Sequence, residues 1–303
     1  MNESYWGSVR FYIHLYTAGF IALLLIPVFA GIWFWQVSMA APRTIVQVEK
    51  DNTVKTGVDK IVSPDAPPPV TSSYPYQRKY PELFAAMPER KLAASGTVYL
   101  TFDDGPSPVT EKVLDVLKQY GVPSTFFVVG NRLTSEAGQK TARRIVREGH
   151  SIGLHSNTHR YRTIYASVEN WLDDFAIAEK RITEVTGIRP TIFRFPGGSI
   201  NVYNGNLYQE LIAEMTRRGY VYFDWNVSSG DISAVPVRAE TLLANITSQR
   251  FDGDPVIVLM HDSASKTETL RALPKIIEYY RSKGMTFGKL QNNIWPVAFG
   301  YRS

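Results

Sequence analysis

The chain has 303 residues, 44% of them hydrophobic and 20% charged, enough for one large α/β domain with an ample core and a further segment besides. Its 33 basic and 28 acidic residues give a net charge of +5, spread along the chain, which excludes the dense basic tract of a nucleic-acid binder. There is no cysteine, so disulfides, thiolate nucleophiles and cysteine-ligated zinc are excluded.

In chain order, residues 1–15 precede an uncharged apolar run, Tyr16–Val37 (YTAGFIALLLIPVFAGIWFWQV). At ~1.5 Å per residue such a run crosses a hydrocarbon layer of about 30 Å. Tyr12, Tyr16, Trp33 and Trp35 stand toward its ends, where amphipathic rings favour the interface. Ser38-Met39-Ala40 offers a small-x-small cleavage site, but the run exceeds the apolar core of a signal peptide. The expectation is an uncleaved signal-anchor at 16–37, with secretion after cleavage as the alternative. Arg10 and Arg43 flank the run too evenly to orient it. Residues 1–15 are expected in the cytoplasm and the C-terminal mass outside the cell membrane, facing the cell wall. Residues 38–90, with VSPDAPPPVTSSYPYQRKYPE, read as a Pro-rich stalk. Thr44–Lys60 reads equally as a strand or a short helix.

The texture changes at about Lys91, where a domain over 91–303 is expected. VYLTF (Val98–Phe102) predicts a strand and Thr110–Tyr120 a helix. TFFVVG (Thr125–Gly130) precedes a helix over Glu136–Glu148, and SIGLH (Ser151–His155) one over Ser167–Thr186. TIFRF (Thr191–Phe195) precedes a helix over Asn206–Arg218, and VYFDWNV (Val221–Val227) one over Ala239–Gln249. VIVLM (Val256–Met260) precedes a helix over Thr269–Lys283, with a last strand over Met285–Leu290. Alternating short apolar strands and amphipathic helices predict a parallel α/β architecture, and about seven units predict a barrel. In such barrels chemistry gathers where strands end.

Five segments lie at those ends: TFDDGPS (Thr101–Ser107), HSNTH (His155–His159), RFPGG (Arg194–Gly198), DWNVSSGD (Asp224–Asp231) and LMHD (Leu259–Asp262). A turn opening a helix accounts for Gly105, Pro106 and one aspartate. It does not account for two adjacent carboxylates after a buried strand, where charge is costly unless paired or metal-bound. The spacing of His155 and His159 can aim two imidazoles at one ion, although exposed loop histidines are the common alternative. Asp104 can supply a third ligand from another strand end, and a His₂Asp set leaves a position open for water. Arg194 is either a solvated loop residue or the orienter of a carboxylate, and Pro196-Gly197-Gly198 turns the chain sharply after it. His261 is either half-buried beside a capping Asp262 or a general acid tuned by a carboxylate such as Asp231. His150 reads as structural and His14 as interfacial.

Together with YPELF (Tyr80–Phe84), SVENWLDDF (Ser167–Phe175) and ALPKIIEYY (Ala272–Tyr280), these segments resemble the polysaccharide deacetylase family. This is the NodB homology domain of carbohydrate esterase family 4, in its membrane-tethered or secreted Gram-positive branch. The resemblance covers roughly residues 74–290 and implies a distorted (β/α) barrel. It implies that Asp103 is the catalytic base, Asp104, His155 and His159 the metal ligands, and Arg194 the residue that holds Asp103. It further implies His261 as the acid paired with Asp231, Leu259 against the acetyl methyl group, and the Gly197 N–H at the oxyanion. Pro196 and Trp225 join Gly197 and Leu259 as expected substrate-binding residues. One departure stands out: family members often carry Trp after the fourth-motif aspartate, and here Ile232 follows Asp231. Whether Trp225 fills that space is open.

The implied activity is metal-dependent hydrolysis of acetamide groups on N-acetylglucosamine units of an envelope polysaccharide, foremost peptidoglycan, releasing acetate. The expected cofactor is a divalent metal, Zn²⁺ first, with Co²⁺, Ni²⁺ or Mn²⁺ as alternatives. The expected partners are an N-acetylated glycan and the membrane, with no nucleic acid and no protein partner. The competing readings are an O-acetyl esterase on xylan, a chitin-type deacetylase and a non-catalytic glycan-binding protein.

Overall fold

Strand β1 (Thr97–Asp103) is buried along its whole length and forms the spine of a parallel sheet. The computed structural model describes residues 74–86, 89, 95–233, 235–249 and 255–300. The anchor expected at 16–37, residues 1–15 and most of the 38–90 stretch lie outside them. Among the described residues no helix is long and apolar enough to cross a membrane.

The remaining strands are β2 (Thr125–Val128), β3 (Ser151–Leu154), β4 (Ile192–Phe193), β5 (Val221–Tyr222), β6 (Val227–Ser228), β7 (Val256–His261) and β8 (Thr286–Gly288). Their order is β5-β4-β3-β2-β1-β7-β6, and every pair is parallel. β8 pairs with Thr97–Tyr99 of β1, and β2 takes Thr101–Asp103. Among the described residues seven α-helices accompany the sheet: α1 (Pro108–Tyr120), α2 (Glu136–Arg147), α3 (Tyr161–Ile164), α4 (Val168–Thr186), α5 (Tyr208–Arg217), α6 (Ala239–Ser248) and α7 (Thr267–Ser282). Serine side chains cap three of them: Ser107 accepts from Val109 N, Ser135 from Gly138 N and Ser167 from Asn170 N.

The two-residue period of a strand divides the core into two layers. Val98, Leu100, Phe102, Phe126, Val128, Val258 and Met260 face the helices in the main cluster. Tyr99, Phe127, Ile192, Val221 and Ile257 face inward in a second, smaller cluster. Register then carries the inward alternation to the strand ends. Thr101 pairs with Leu259 and Asp103 with His261, so both catalytic candidates emerge on the inner face.

The barrel stays half open because the strand expected over Val221–Val227 is two strands. Among the described residues β5 pairs only β4, and β6 pairs only β7, at opposite edges of the sheet. Residues 223–226 cross between them: Phe223 N donates to Phe193 O at one edge and Asn226 N to Ile257 O at the other. The break falls at Asp224, a poor strand residue. Its buried carboxylate accepts from Ser199 N (2.8 Å), Ser199 Oγ (2.5 Å) and Phe299 N (2.8 Å), which holds the backbone out of the ladder.

Packing on the domain also begins earlier than residue 91. Pro75–Arg78, placed within the stalk by composition, forms a 3₁₀ turn, and Leu83 and Ala85 are buried in the main core. The buried Arg218 guanidinium gathers this segment, donating to Tyr80 O (2.7 Å), Lys79 O (2.7 Å), Leu83 O (3.2 Å) and Tyr76 O (3.3 Å). Glu214 balances its charge at 2.7 Å, and Asp173 holds Lys79 and Tyr80. Prolines spaced along a chain disfavour regular structure, but they leave carbonyls free for an arginine to collect.

Arg218→Met leaves Glu214 buried with Arg217 as its remaining partner and frees four carbonyls. It should cost about 3 kcal/mol in urea denaturation and speed proteolytic cleavage around residues 74–85. Unchanged stability would show that the segment is held by its apolar contacts alone.

Candidate active site

Asp104 and His159, two of the three donors that gather at the strand ends, sit with Ser156 on strained backbone. Asp104 (φ 77°), Ser156 (φ 68°) and His159 (φ 56°) all lie in the left-handed region, which costs a non-glycine residue of order 1–3 kcal/mol. The surroundings supply the compensation. Asp174 of α4 accepts from Asn157 N (2.5 Å), Thr158 N (3.0 Å) and Thr158 Oγ1 (2.6 Å), and Ser156 Oγ accepts from His159 N (2.8 Å). Gly130 N and Asn131 N donate to Ser156 O and Asn157 O. The loop after β3 is therefore clamped from two elements.

This backbone brings Asp104 Oδ1 to 3.2 Å from His159 Nε2 and 3.6 Å from His155 Nε2. One ligand atom of each residue lies within 4.8 Å of the other two. Asp104 Oδ1 is buried and accepts no hydrogen bond from the described residues, an expensive condition unless a cation completes it. His155 Nδ1 faces Arg194 O at 2.9 Å. A carbonyl only accepts, so Nδ1 carries the proton and Nε2 keeps its lone pair toward Asp104. Burial, aided by His159, pushes His155 down to about 3 and keeps it in the neutral, ligating form. A carboxylate and two imidazoles so arranged fit a divalent metal ion of borderline softness.

Beside this cluster Asp103 Oδ2 lies 3.7 Å from His155 Nε2. Its other oxygen accepts from Arg194 Nη1 at 2.9 Å. Arg194 is fully buried and every donor group is used: Nη1 also reaches Thr101 Oγ1 (2.7 Å), Nε reaches Phe223 O (2.8 Å) and Nη2 reaches Asp224 O (3.1 Å). The Phe127 ring lies against the guanidinium at 4.4 Å. Burial raises the Asp103 carboxyl above its ordinary range, against the pull of Arg194 and His261. A raised carboxylate is a better proton acceptor.

Across from Asp103, His261 Nδ1 meets Asp231 Oδ1 at 2.7 Å, and His261 N donates to Asp231 Oδ2 at 2.8 Å. Thr269 Oγ1 donates to the same Oδ2 at 2.7 Å, fixing the carboxylate from α7. Burial opposes the charge on His261, but Asp231, with Asp103 and Asp104, prevails and raises it to about 9. At neutral pH its Nε2 therefore carries a proton.

The expected substrate residues fall around this centre. Leu259 lies on the inner face of β7, two residues before His261. Pro196 is buried and its carbonyl accepts from Tyr165 Oη (2.8 Å), which shapes the turn that leaves Gly197 exposed. Trp225 packs edge-on against Phe299 at 4.9 Å and lies 5.7 Å from the Arg194 guanidinium. Ile232 is 71% exposed and lies against solvent rather than against the site.

A family model described as polysaccharide deacetylase matches residues 91–216. YheN of Bacillus subtilis (strain 168) is 34% identical over 209 residues, covering 66% of this chain and 69% of that protein. The chain belongs to the polysaccharide deacetylase family. A peptidoglycan-N-acetylglucosamine deacetylase of Bacillus cereus is 30% identical over 220 residues, 70% of this chain and 74% of that protein. The solved catalytic domain of a peptidoglycan N-acetylglucosamine deacetylase from Eubacterium rectale aligns with a TM-score of 0.65 at 34% identity, covering 71% of this chain and 97% of that one. The half-barrel is thus the NodB-like α/β fold, the Bacillus relatives fit the Gram-positive branch, and the protein is a hydrolase of this deacetylase family.

In this deacetylase two supporting carboxylates escaped the sequence reading. Asp174 shares the apolar helix face of Trp171, Phe175 and Ala178, and a carboxylate on a buried face was the available signal. Asp262, read as a cap, is fully buried under the Asp103-Asp104 turn. Its amide donates to Asp103 O (3.0 Å), its carbonyl accepts from Ser107 Oγ (2.6 Å) and its Oδ2 accepts from Thr110 Oγ1 (2.6 Å). A Cβ at Gly105 would stand 2.4 Å from Asp262 Oδ2, so only glycine lets this turn close.

Arg194→Met removes the counter-charge of a buried carboxylate and leaves two backbone carbonyls unpaired. Denaturant titration should show a loss of about 3–5 kcal/mol; a loss below about 1 kcal/mol would mean that Asp103 is protonated and neutral in the native state.

Proposed function

We propose that this enzyme removes acetyl groups from N-acetylglucosamine units of peptidoglycan in a metal-dependent hydrolysis. The observation that carries the reading is that a three-donor cluster, an arginine-held carboxylate and an aspartate-held imidazolium lie together at the ends of the strands. The substrate rests on the relatives, two of which are named for peptidoglycan N-acetylglucosamine.

Asp104, His155 and His159 would hold a divalent ion, zinc first among the candidates, which would supply Lewis acidity toward the acetyl carbonyl and a water. Asp103 takes the proton of the attacking water, and Arg194 holds the carboxylate in place through its Oδ1. The exposed Gly197 N–H is the backbone donor available to the developing oxyanion. His261 passes its Nε2 proton to the departing nitrogen, without which an amine leaves poorly. Asp231 keeps that imidazole charged and aimed, and Leu259 contacts the acetyl methyl group. We further read residues 16–37 as the anchor that keeps the domain outside the membrane and close to a fixed polymer.

Acetate release by the purified full-length chain from peptidoglycan, chitin oligomers and acetyl-xylan, with and without chelator, tests the whole reading. Chelator-sensitive release from peptidoglycan is expected, and release confined to acetyl-xylan would replace it with an O-acetyl esterase. Asp103→Asn should lower kcat about 10²–10⁴-fold while retaining the metal, whereas His159→Ala should lose metal stoichiometry. Metal lost from Asp103→Asn would overturn the division between base and ligands.

The pH profile carries its own sign. A raised histidine is protonated below its folded value, so kcat should hold through neutral pH and fall as pH rises through about 9. Asp231→Asn should draw that alkaline limb down by about one unit or more. An unmoved limb would separate Asp231 from the acid.

A further inference from the structure

On one flank of the donor cluster, aromatic rings run outward to the surface. The His159 ring meets Tyr161 edge-on at 5.1 Å, and Tyr161 meets Tyr203 at 4.8 Å with 42° between the planes. Tyr161 is half-buried, Tyr203 is 50% exposed and the adjoining Val202 is 85% exposed.

The turn that presents Tyr203 is built rather than loose. Asn201 Oδ1 accepts from Tyr203 N (2.8 Å) and Asn204 N (3.2 Å), and Asn201 Nδ2 donates to Pro196 O (3.2 Å) and Gly198 O (3.0 Å). The buried Asn204 accepts from Asn201 N (2.8 Å) and donates to Ser199 O (3.0 Å). The turn is thus fastened to the Pro196–Gly198 backbone beside the reacting centre. A Cβ at Gly197 would stand 3.0 Å from Tyr161 Cε1 and 3.5 Å from its hydroxyl. Core packing does not require a rigid tyrosine held half in water. Such a ring offers a large amphipathic contact area with only two side-chain torsions to fix.

Resting on the deacetylase reading above, we infer that Tyr161 and Tyr203 form a carbohydrate subsite. They are a platform for the apolar C–H face of the pyranose neighbouring the one that carries the reacting acetamide. The electron-rich ring face attracts the weakly positive C–H bonds on that side of a sugar, and Val202 extends the strip. Tyr161 borders the metal-binding residues, and Tyr203 stands one ring further out. The reacting sugar therefore lies nearer Tyr161 and its neighbour meets Tyr203. The subsite rewards oligomers over monomers, as a polymer-acting enzyme requires.

Calorimetric titration of the full-length chain with N-acetylglucosamine and with its β-1,4-linked tetramer tests this. Tyr203→Ala should weaken tetramer binding about tenfold, or about 1.4 kcal/mol, and affect the monomer much less. Tyr203→Phe should retain tetramer affinity, and Ile188→Ala, at the opposite end of the strands, should bind as wild type. Melting midpoints near wild type confirm the fold of each variant. In turnover the loss should fall on KM for the tetramer. Equal weakening of monomer and tetramer, unchanged tetramer affinity in Tyr203→Ala, or no tetramer binding by the wild type would each overturn the subsite. Because tetramer binding and acetate release are separate readouts, the two readings fail separately. Tyr203-dependent binding without acetate release from any N-acetylated glycan overturns the deacetylase reading alone. Acetate release with tetramer binding indifferent to Tyr203 overturns the subsite alone.

Discussion

The fully buried guanidinium of Arg194 is the constraint on which the rest of the structure depends. A charge in that position is tolerable only if each donor group finds an acceptor and a counter-charge stands nearby. Asp103 and Thr101 provide this from the central strand, and the carbonyls of Phe223 and Asp224 from the segment that bridges the open sheet. The same residue's own carbonyl receives the Nδ1 proton of His155. One side chain and its backbone therefore tie together the proposed base, a candidate metal ligand and the seam where the barrel fails to close. The electrostatics of Asp103 cannot be altered through Arg194 without disturbing that seam.

A second theme is strain held in place by buried carboxylates. Two of the donor residues, Asp104 and His159, occupy left-handed backbone that their side chains do not favour. Asp174 fixes the histidine loop, Asp262 fixes the aspartate turn, and Asp224 fixes the glycine-rich turn that follows Arg194. None of these three needs to touch a substrate. Each spends hydrogen bonds on irregular backbone so that other atoms converge without reorganising, which is how a preorganised site gains over solvent.

The periphery shows how a shared centre acquires its own preference. Ile232, at the position where the family resemblance leads one to expect tryptophan, lies in solvent. Trp225 is engaged with Phe299 and Arg194 instead. On the other flank a rigid asparagine-fastened turn raises Tyr203 beside Tyr161.

Much of this was legible in the chain. Strand period placed Asp103 and His261 on the face where strands end, because side chains two apart share a face whatever the fold around them. Carboxylates and histidines after apolar runs marked the chemistry, because such groups are costly there without partners. Local pattern could not reveal that Val221–Val227 splits between opposite edges of the sheet, since both halves look β-prone and only the carboxylate of Asp224, met by Ser199 and Phe299, decides the break. Nor could composition show that residues 74–85 pack on the domain, since Arg218, more than 130 residues later, supplies their partners. What the sequence determined by itself was the set of strands, helices and reactive groups, because these follow from local periodicity and from the cost of burying charge. What only the tertiary structure decided was which distant carboxylate or carbonyl each buried charge would find, because those partners are adjacent in space and remote along the chain.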